Sequence, residues 1–392
     1  MAHGVSHPSQ QPLHLRPVAE LEAALRRFEE KVRAAQRHSP PTKSFVRNLI
    51  ERRGAPRPAV YLKRLSLDIM LRHGDGLAEL FSEFPDDLVA LRPYESSIGY
   101  QPAGGPGRVN PVEVLTRAVE WEDEWGTRWR HTVGGVGATP VSYPLEDWRA
   151  LDDYLAHRMP DARAPRRLDA VLPDVQMHGQ AKYCLGIVLL SFFERLQALR
   201  GMQNVLEDIY LHPEPVSRLL DVLCEHLLNL VRAWREAGAD GLFLADDWGT
   251  QSGLMISPAM WRRLFKPYYC RIFQEVHACG MHVIFHSCGN VTEIVEDLID
   301  AGIDVLDPVQ PGAMVQAEVA RRFGGRVCFS GAIDAQRLAE RSPAQVKDDV
   351  RRAIDTLSRP LGNALILSPA PVMTPDIPLE NICALFEACH GG

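Results

Sequence analysis

Several things are scarce in this 392-residue chain. Its eight cysteines, at 184, 224, 270, 279, 288, 328, 383 and 389, form no CxxC pair. Such scatter excludes a disulfide framework and reads as thiols in a reducing cytoplasm, most of them small buried hydrophobes. Long apolar runs are also missing. The longest, YCLGIVLLSFF from Tyr183 to Phe193, is too short to cross a bilayer, so no membrane role is expected. The opening MAHGVSHPSQQPLHLRP has no apolar stretch, which argues against a secretory signal and reads as a loose tail. Positive charge is not in excess: the formal net charge is −7, so nothing points to nucleic acid or an anionic membrane. Low-complexity tracts and short repeats are absent.

What is present is a globular composition, 46% hydrophobic and 24% charged. Val18 to Gln36 reads as a charged amphipathic helix, followed by a Pro-rich joint, HSPPTK. The stretch VEWEDEWGTRWRHTVGGVG is rich in Trp and Gly, with Gly134, Gly135 and Gly137 clustered, and reads as a β-hairpin-rich insertion. The second half alternates regularly. A helical pattern runs from Pro215 to Gly238, then come GLFLADD, a helix from about Pro258 to Cys279, VIFHSCG, a helix, VLDPVQ, a helix, VCFSGAID, a helix, and ALILSPAP. AVYLK, DLVALRP and the run at 180–190 are earlier strands of the same kind. Short buried strands each followed by a helix make parallel βα units. The fold class expected is α/β: a (β/α)8 TIM-type barrel with an N-terminal helical extension and the Trp/Gly-rich hairpin insertion. A doubly wound open sheet is the alternative. Residues 1–45 read as tail and helix, and 46–392 as the barrel, with the insertion at about 105–145.

In such a barrel the strand C-termini build the active site. In order they carry Lys63 and Arg64, Asp246 and Asp247, His286 and Cys288, Asp307 and Gln310, Ser330 and Asp334, and Ser368. His286 and Cys288 stand two apart, so both can point to one side of an extended segment, and nitrogen with thiolate is the donor pair zinc prefers. A buried thiol beside a hydrogen-bonded histidine explains the pair equally well. Asp246, Asp247 and Gln251 follow one strand; the carboxylates can bind substrate, polarise a metal ligand or cap a helix. Ser257 before Pro258 is an N-cap with proline at the first helical position. Trp121, Trp125 and Trp129 recur at every fourth position, as in a half-buried hairpin or the lining of a substrate pocket.

Together, DEWGTRW, FFERLQALRG (192–201), DDWGTQSGLMISPAMWRRLFKPYY (246–269), FHSCGNV (285–291), FSGAIDAQRL (329–338) and SPAPVMTPDIPLENI (368–382) resemble the uroporphyrinogen decarboxylase superfamily. They look most like its branch of zinc-dependent, corrinoid-linked methyltransferases. The likeness spans about residues 50 to 390 and implies a (β/α)8 barrel. Uroporphyrinogen decarboxylases carry MRQAGR after the first strand; here YLKRLSL stands instead, which argues against porphyrinogen decarboxylation. The methyltransferase branch holds zinc with His-x-Cys and a distant cysteine. His286 and Cys288 match the pair, but Pro371 occupies the place of the distant cysteine. Cys328, Asp246, Asp247 and Glu194 are substitutes the sequence does not rank.

Three functions follow. The first is a methyltransferase with a metal-activated acceptor, using zinc at His286 and Cys288, with Asp247, Asp246 and Gln251 as catalytic residues. Corrinoid would arrive with a partner protein, because the DxHxxG motif is absent. The second is a metal-free decarboxylase or lyase, with Lys63, Arg64 and Arg128 gripping carboxylates. The third is a non-catalytic binding barrel. Substrate-binding candidates are Lys63, Arg64, Trp125, Glu194 and Asp334. A small-molecule substrate is expected, in a cytoplasmic protein that is a monomer or homodimer.

Overall fold

The structure, a computed structural model, describes residues 12–391 except 38, 93–109, 111, 135 and 136. Gly135, Pro93 and the first part of the expected insertion lie outside the described residues. Eight strands make one sheet: β1 Ala59–Val60, β2 Leu88–Leu91, β3 Tyr183–Val188, β4 Gly241–Ala245, β5 His282–His286, β6 Val305–Asp307, β7 Cys328–Ser330 and β8 Leu365–Leu367. Their order is β1-β8-β7-β6-β5-β4-β3-β2, and every pairing is parallel. With helices in the connections, this is a nearly closed (β/α)8 barrel.

Carboxylates, rather than a strand ladder, join β1 to β2. The Asp87 N–H donates to the Val60 carbonyl at 2.9 Å, and the Val60 N–H donates back to Asp87 Oδ2 at 2.9 Å. The Leu62 and Lys63 N–H groups donate to the two oxygens of Asp86 at 2.7 and 3.0 Å. Arg57 grips Asp87 with two hydrogen bonds, at 2.6 and 2.9 Å. Burial pushes the Asp86 carboxyl up to about 7 against the pull of those two N–H groups.

Alternation along the strands decides what faces the interior. Leu242, Leu244, Val283 and Phe285 belong to the outer core under the helices. Tyr61, Tyr183, Ile284 and Val305 pack inside the barrel, with Phe243 against them. By the same parity His286 and Asp307 point inward, and Asp247 follows Phe243 while Asp246 follows Leu244. The register places Ala245, His286 and Asp307 side by side in one layer at the strand ends.

Outside the barrel, the helix Val18–Arg37 buries Leu21, Phe28 and Val32 and lies along the helix Leu67–Glu83. The tryptophan-rich region is a three-stranded antiparallel sheet of Val119–Glu122, Arg128–His131 and Thr139–Ser142. Trp121 and Trp129 are cross-strand partners and pack on Leu190 and Ala198. The helix expected from Pro258 to Cys279 is two helices, Pro258–Leu264 and Lys266–Ala278. Pro267 has no N–H for an uninterrupted helix but fits the first turn of a new one. Ser257 caps the first, its Oγ accepting from the Met260 N–H at 3.2 Å.

Candidate metal centre

Two loops meet at the ends of β4 and β5. Asn290 N–H donates to the Thr250 carbonyl at 2.8 Å, and glycines let the chains touch. A Cβ on Gly289, whose φ is +81°, would stand 2.4 Å from the Gly249 carbonyl carbon, so neither chain could come so near with a side chain there. Trp248 braces the junction. Its N–H donates to Ser287 Oγ at 2.9 Å and its indole N–H to Tyr269 Oη at 2.9 Å.

This contact brings Asp247, His286 and Cys288 together, with one donor atom of each within 4.8 Å of the others. His286 Nε2 lies 3.3 Å from Cys288 Sγ and 3.9 Å from Asp247 Oδ1. The Cys288 N–H donates to Asp247 Oδ1 at 2.7 Å, which fixes the carboxylate against the loop. Behind the imidazole, Nδ1 meets Asp307 Oδ1 at 2.6 Å, and Arg64 Nη2 meets Asp307 Oδ2 at 2.7 Å. Asp307 is fully buried. Burial opposes its charge, but Arg64, His286 and the Ser330 hydroxyl outweigh that and hold the carboxyl far below its ordinary value. Burial likewise opposes charge on His286, yet Cys288 and Asp307 push its pKa well up. Glu194 stands nearby with its carboxyl raised to about 8, by burial first and then by Asp247 and Asp246.

Residues 193–392 match the family model described as Uroporphyrinogen decarboxylase (URO-D). The chain belongs to the uroporphyrinogen decarboxylase family. Among curated members, the uroporphyrinogen decarboxylase of Xanthomonas euvesicatoria is 28% identical over 183 residues, 45% of this chain and 49% of that protein. That of Thermus thermophilus is 39% identical over 89 residues, 23% of this chain and 25% of that one. The chain thus spans about half the length of the first of these relatives. A methyltransferase from Methanosarcina mazei shares the fold with a TM-score of 0.65 at 17% identity, over 90% of this chain and 99% of that one.

Within this family fold, the donor set is not the one the resemblance implied. Pro371 follows the short strand Pro369–Ala370 and offers no ligating atom. The third residue placed to offer a donor atom is Asp247, just past the end of β4. Cys328 is no substitute: it is buried inside the barrel with Ala59, Leu88 and Tyr183, and burial pushes its thiol far up. Asp246 is fully buried, and its carboxylate accepts from the Phe192, Phe193 and Glu194 N–H groups at 2.9, 2.9 and 2.8 Å and from the Tyr269 hydroxyl. It therefore supports the start of the helix Phe193–Arg200 and does not face the donor set.

Other expected site residues stand elsewhere. The Arg64 N–H donates to the Leu62 carbonyl at 2.7 Å, and this tight turn breaks the strand alternation. Arg64 consequently enters the barrel mouth, while Lys63 is half-buried within electrostatic reach of Arg92, Glu29, Asp86 and Asp174. Gln251 is exposed and donates to the Gly312 carbonyl at 2.7 Å. Asp334 accepts from the Gln336 N–H at 3.1 Å as a helix cap. Trp125 is buried beneath the Arg195 guanidinium, 4.3 Å from its ring, and beside His226. Arg128 pairs with Glu120 on the outer face of the antiparallel sheet. Asp307 is the group that sequence reading offers only as one polar residue at a strand end. Its signal is its place one strand over from the histidine, in VLDPVQ.

Proposed function

We propose that this chain is a metal-dependent methyltransferase that makes a thiol or similar heteroatom the methyl acceptor, with the metal held by Asp247, His286 and Cys288. The observation that carries this reading is the clustering of these three donors, backed by a buried carboxylate on the far nitrogen of the histidine. Donors at about 2.0–2.3 Å from one tetrahedral ion stand roughly 3.4–3.6 Å apart. The 3.3 and 3.9 Å separations bracket that range, so the residues present fit one ion. One oxygen, one nitrogen and one sulfur suit zinc and leave a fourth position for a substrate.

Zinc in such a site lowers the pKa of a bound thiol and keeps it nucleophilic at neutral pH. The protein's part is orientation. Asp307 Oδ1 holds the His286 proton at Nδ1 and leaves Nε2 toward the other donors. Asp247 Oδ1, bound to the Cys288 N–H, keeps the carboxylate beside the thiol. The methyl group would come from a corrinoid delivered by a partner protein. The metal-free lyase reading draws less support. Of its three carboxylate-gripping cations, Lys63 lies among Arg92 and acidic groups, Arg64 is held by Asp307, and Arg128 pairs with Glu120.

Metal analysis of the purified protein tests the proposal. Near-stoichiometric zinc is expected in the wild type, with loss in each of Asp247→Ala, His286→Ala and Cys288→Ala. A wild type that takes up no metal when zinc is offered would overturn it.

A further inference from the structure

Arg64 sits at the barrel mouth where a substrate-binding cation would be useful, but its nearest contacts run to Asp307, Phe243 and Tyr61, with Cys288 also within electrostatic reach. Its Nη2 lies 2.7 Å from Asp307 Oδ2. Its guanidinium carbon lies 5.4 Å from the centre of the Phe243 ring and 5.8 Å from that of Tyr61. The Phe243 ring, in turn, is centred 4.9 Å from the His286 imidazole. Guanidinium, phenyl and imidazole therefore form one packed group, and Asp307 bridges its two ends. The two Asp307 oxygens are divided: Oδ1 serves His286 and Oδ2 serves Arg64. Ser330 lies close enough to favour the charged carboxylate, and its Oγ lies 3.3 Å from that of Ser368.

We infer that Arg64 is a positioning residue of the metal centre, acting through Asp307 to fix the plane and tautomer of His286. This rests on the metal reading above. A carboxylate tied only to His286 could turn about its last bond. One tied at both oxygens cannot do so without breaking a contact to a charged partner, which is among the stronger hydrogen bonds a protein makes. The Nδ1–H of His286 is then directed at Oδ1, and Nε2 is left as the only nitrogen able to act as a donor. The planar guanidinium also covers the face of Phe243, which a lysine ammonium cannot do in the same way.

Cobalt(II) titration of the metal-free protein tests this, because thiolate-to-cobalt and d–d bands report both affinity and ligand geometry. The set is wild type, Asp307→Asn, Arg64→Met and Arg64→Lys, with unfolding midpoints of the metal-free forms measured alongside. Asp307→Asn is expected to weaken cobalt binding by about 10–100-fold. Arg64→Met, one bond further out, is expected to weaken it by roughly 3–10-fold and to shift the d–d bands, with Arg64→Lys recovering part of both. A purely structural role would lower the unfolding midpoint and leave the spectrum of the folded protein unchanged. Wild-type affinity and spectrum in Arg64→Met would overturn the inference while leaving the metal reading intact. A wild type that binds no cobalt would overturn both. If Arg64→Met does not fold, Arg64→Lys decides on the same readout: an unaltered affinity and spectrum overturn the inference.

Discussion

Two aspartate doublets, Asp86-Asp87 before β2 and Asp246-Asp247 after β4, use the same side chains in different ways. The first is consumed by backbone N–H groups and one arginine. Its four carboxylate oxygens accept from Leu62, Lys63, Val60 and Arg57, and they close the seam between β1 and β2. The second is divided. Asp246 is taken up by three backbone N–H groups and a tyrosine, whereas the Asp247 side chain is 37% exposed and faces His286 and Cys288. A carboxylate becomes available for chemistry when the parity of its strand turns it inward and its neighbour satisfies the orphan N–H groups nearby.

Truncating each member of the second doublet in turn separates the two roles most strongly. Asp246→Ala leaves three buried N–H groups and the Tyr269 hydroxyl without their acceptor, and is expected to destabilise by at least about 3 kcal/mol in denaturant unfolding. Asp247→Ala is expected to change metal-free stability by under about 1 kcal/mol and to weaken metal binding by more than the roughly 10–100-fold typical of outer-shell losses. Reversal of these two results would exchange the roles. The first doublet gives a smaller effect that depends on pH. Asp86 has its folded pKa raised from 3.8 to about 7, so the folded state binds the extra proton between those values. Its contribution to stability is complete below 3.8 and is lost as pH rises to about 7. Asp86→Asn is therefore expected to make the fall in stability across that window shallower; an unchanged slope would contradict the seam's electrostatics. The smallest effect belongs to Gln251→Ala, which removes one exposed loop contact and is expected to stay within about 0.5 kcal/mol, with metal affinity unaltered.

The barrel was legible in the alternation of buried strands with helices, and the pair His286 and Cys288 in its spacing. The choice between Asp246 and Asp247 was not. Parallel barrel strands are buried on both faces, so GLFLA is apolar at every position and its parity is silent. Only the core that each residue joins shows that Phe243 faces in and Leu244 faces out. The tie from Arg64 to Asp307 was hidden for a different reason. A tight turn at Leu62 ends the alternation that would have sent Lys63 inward, and nothing in YLKRLSL marks it. Trp125 was open to two readings, because tryptophans four apart suit a pocket lining as well as a hairpin, and in the structure it lines a cavity with Arg195 and His226. The structure uses two of the three as cross-strand partners and the third in the turn.

In the proposed centre Asp247, rather than a second thiol, completes the metal's donor set. X-ray absorption on the zinc-loaded protein tests it directly. One sulfur at about 2.3 Å with nitrogen and oxygen donors at about 2.0–2.2 Å is the expected first shell. Two or more sulfurs, or a zinc shell unchanged in Asp247→Ala, would contradict it.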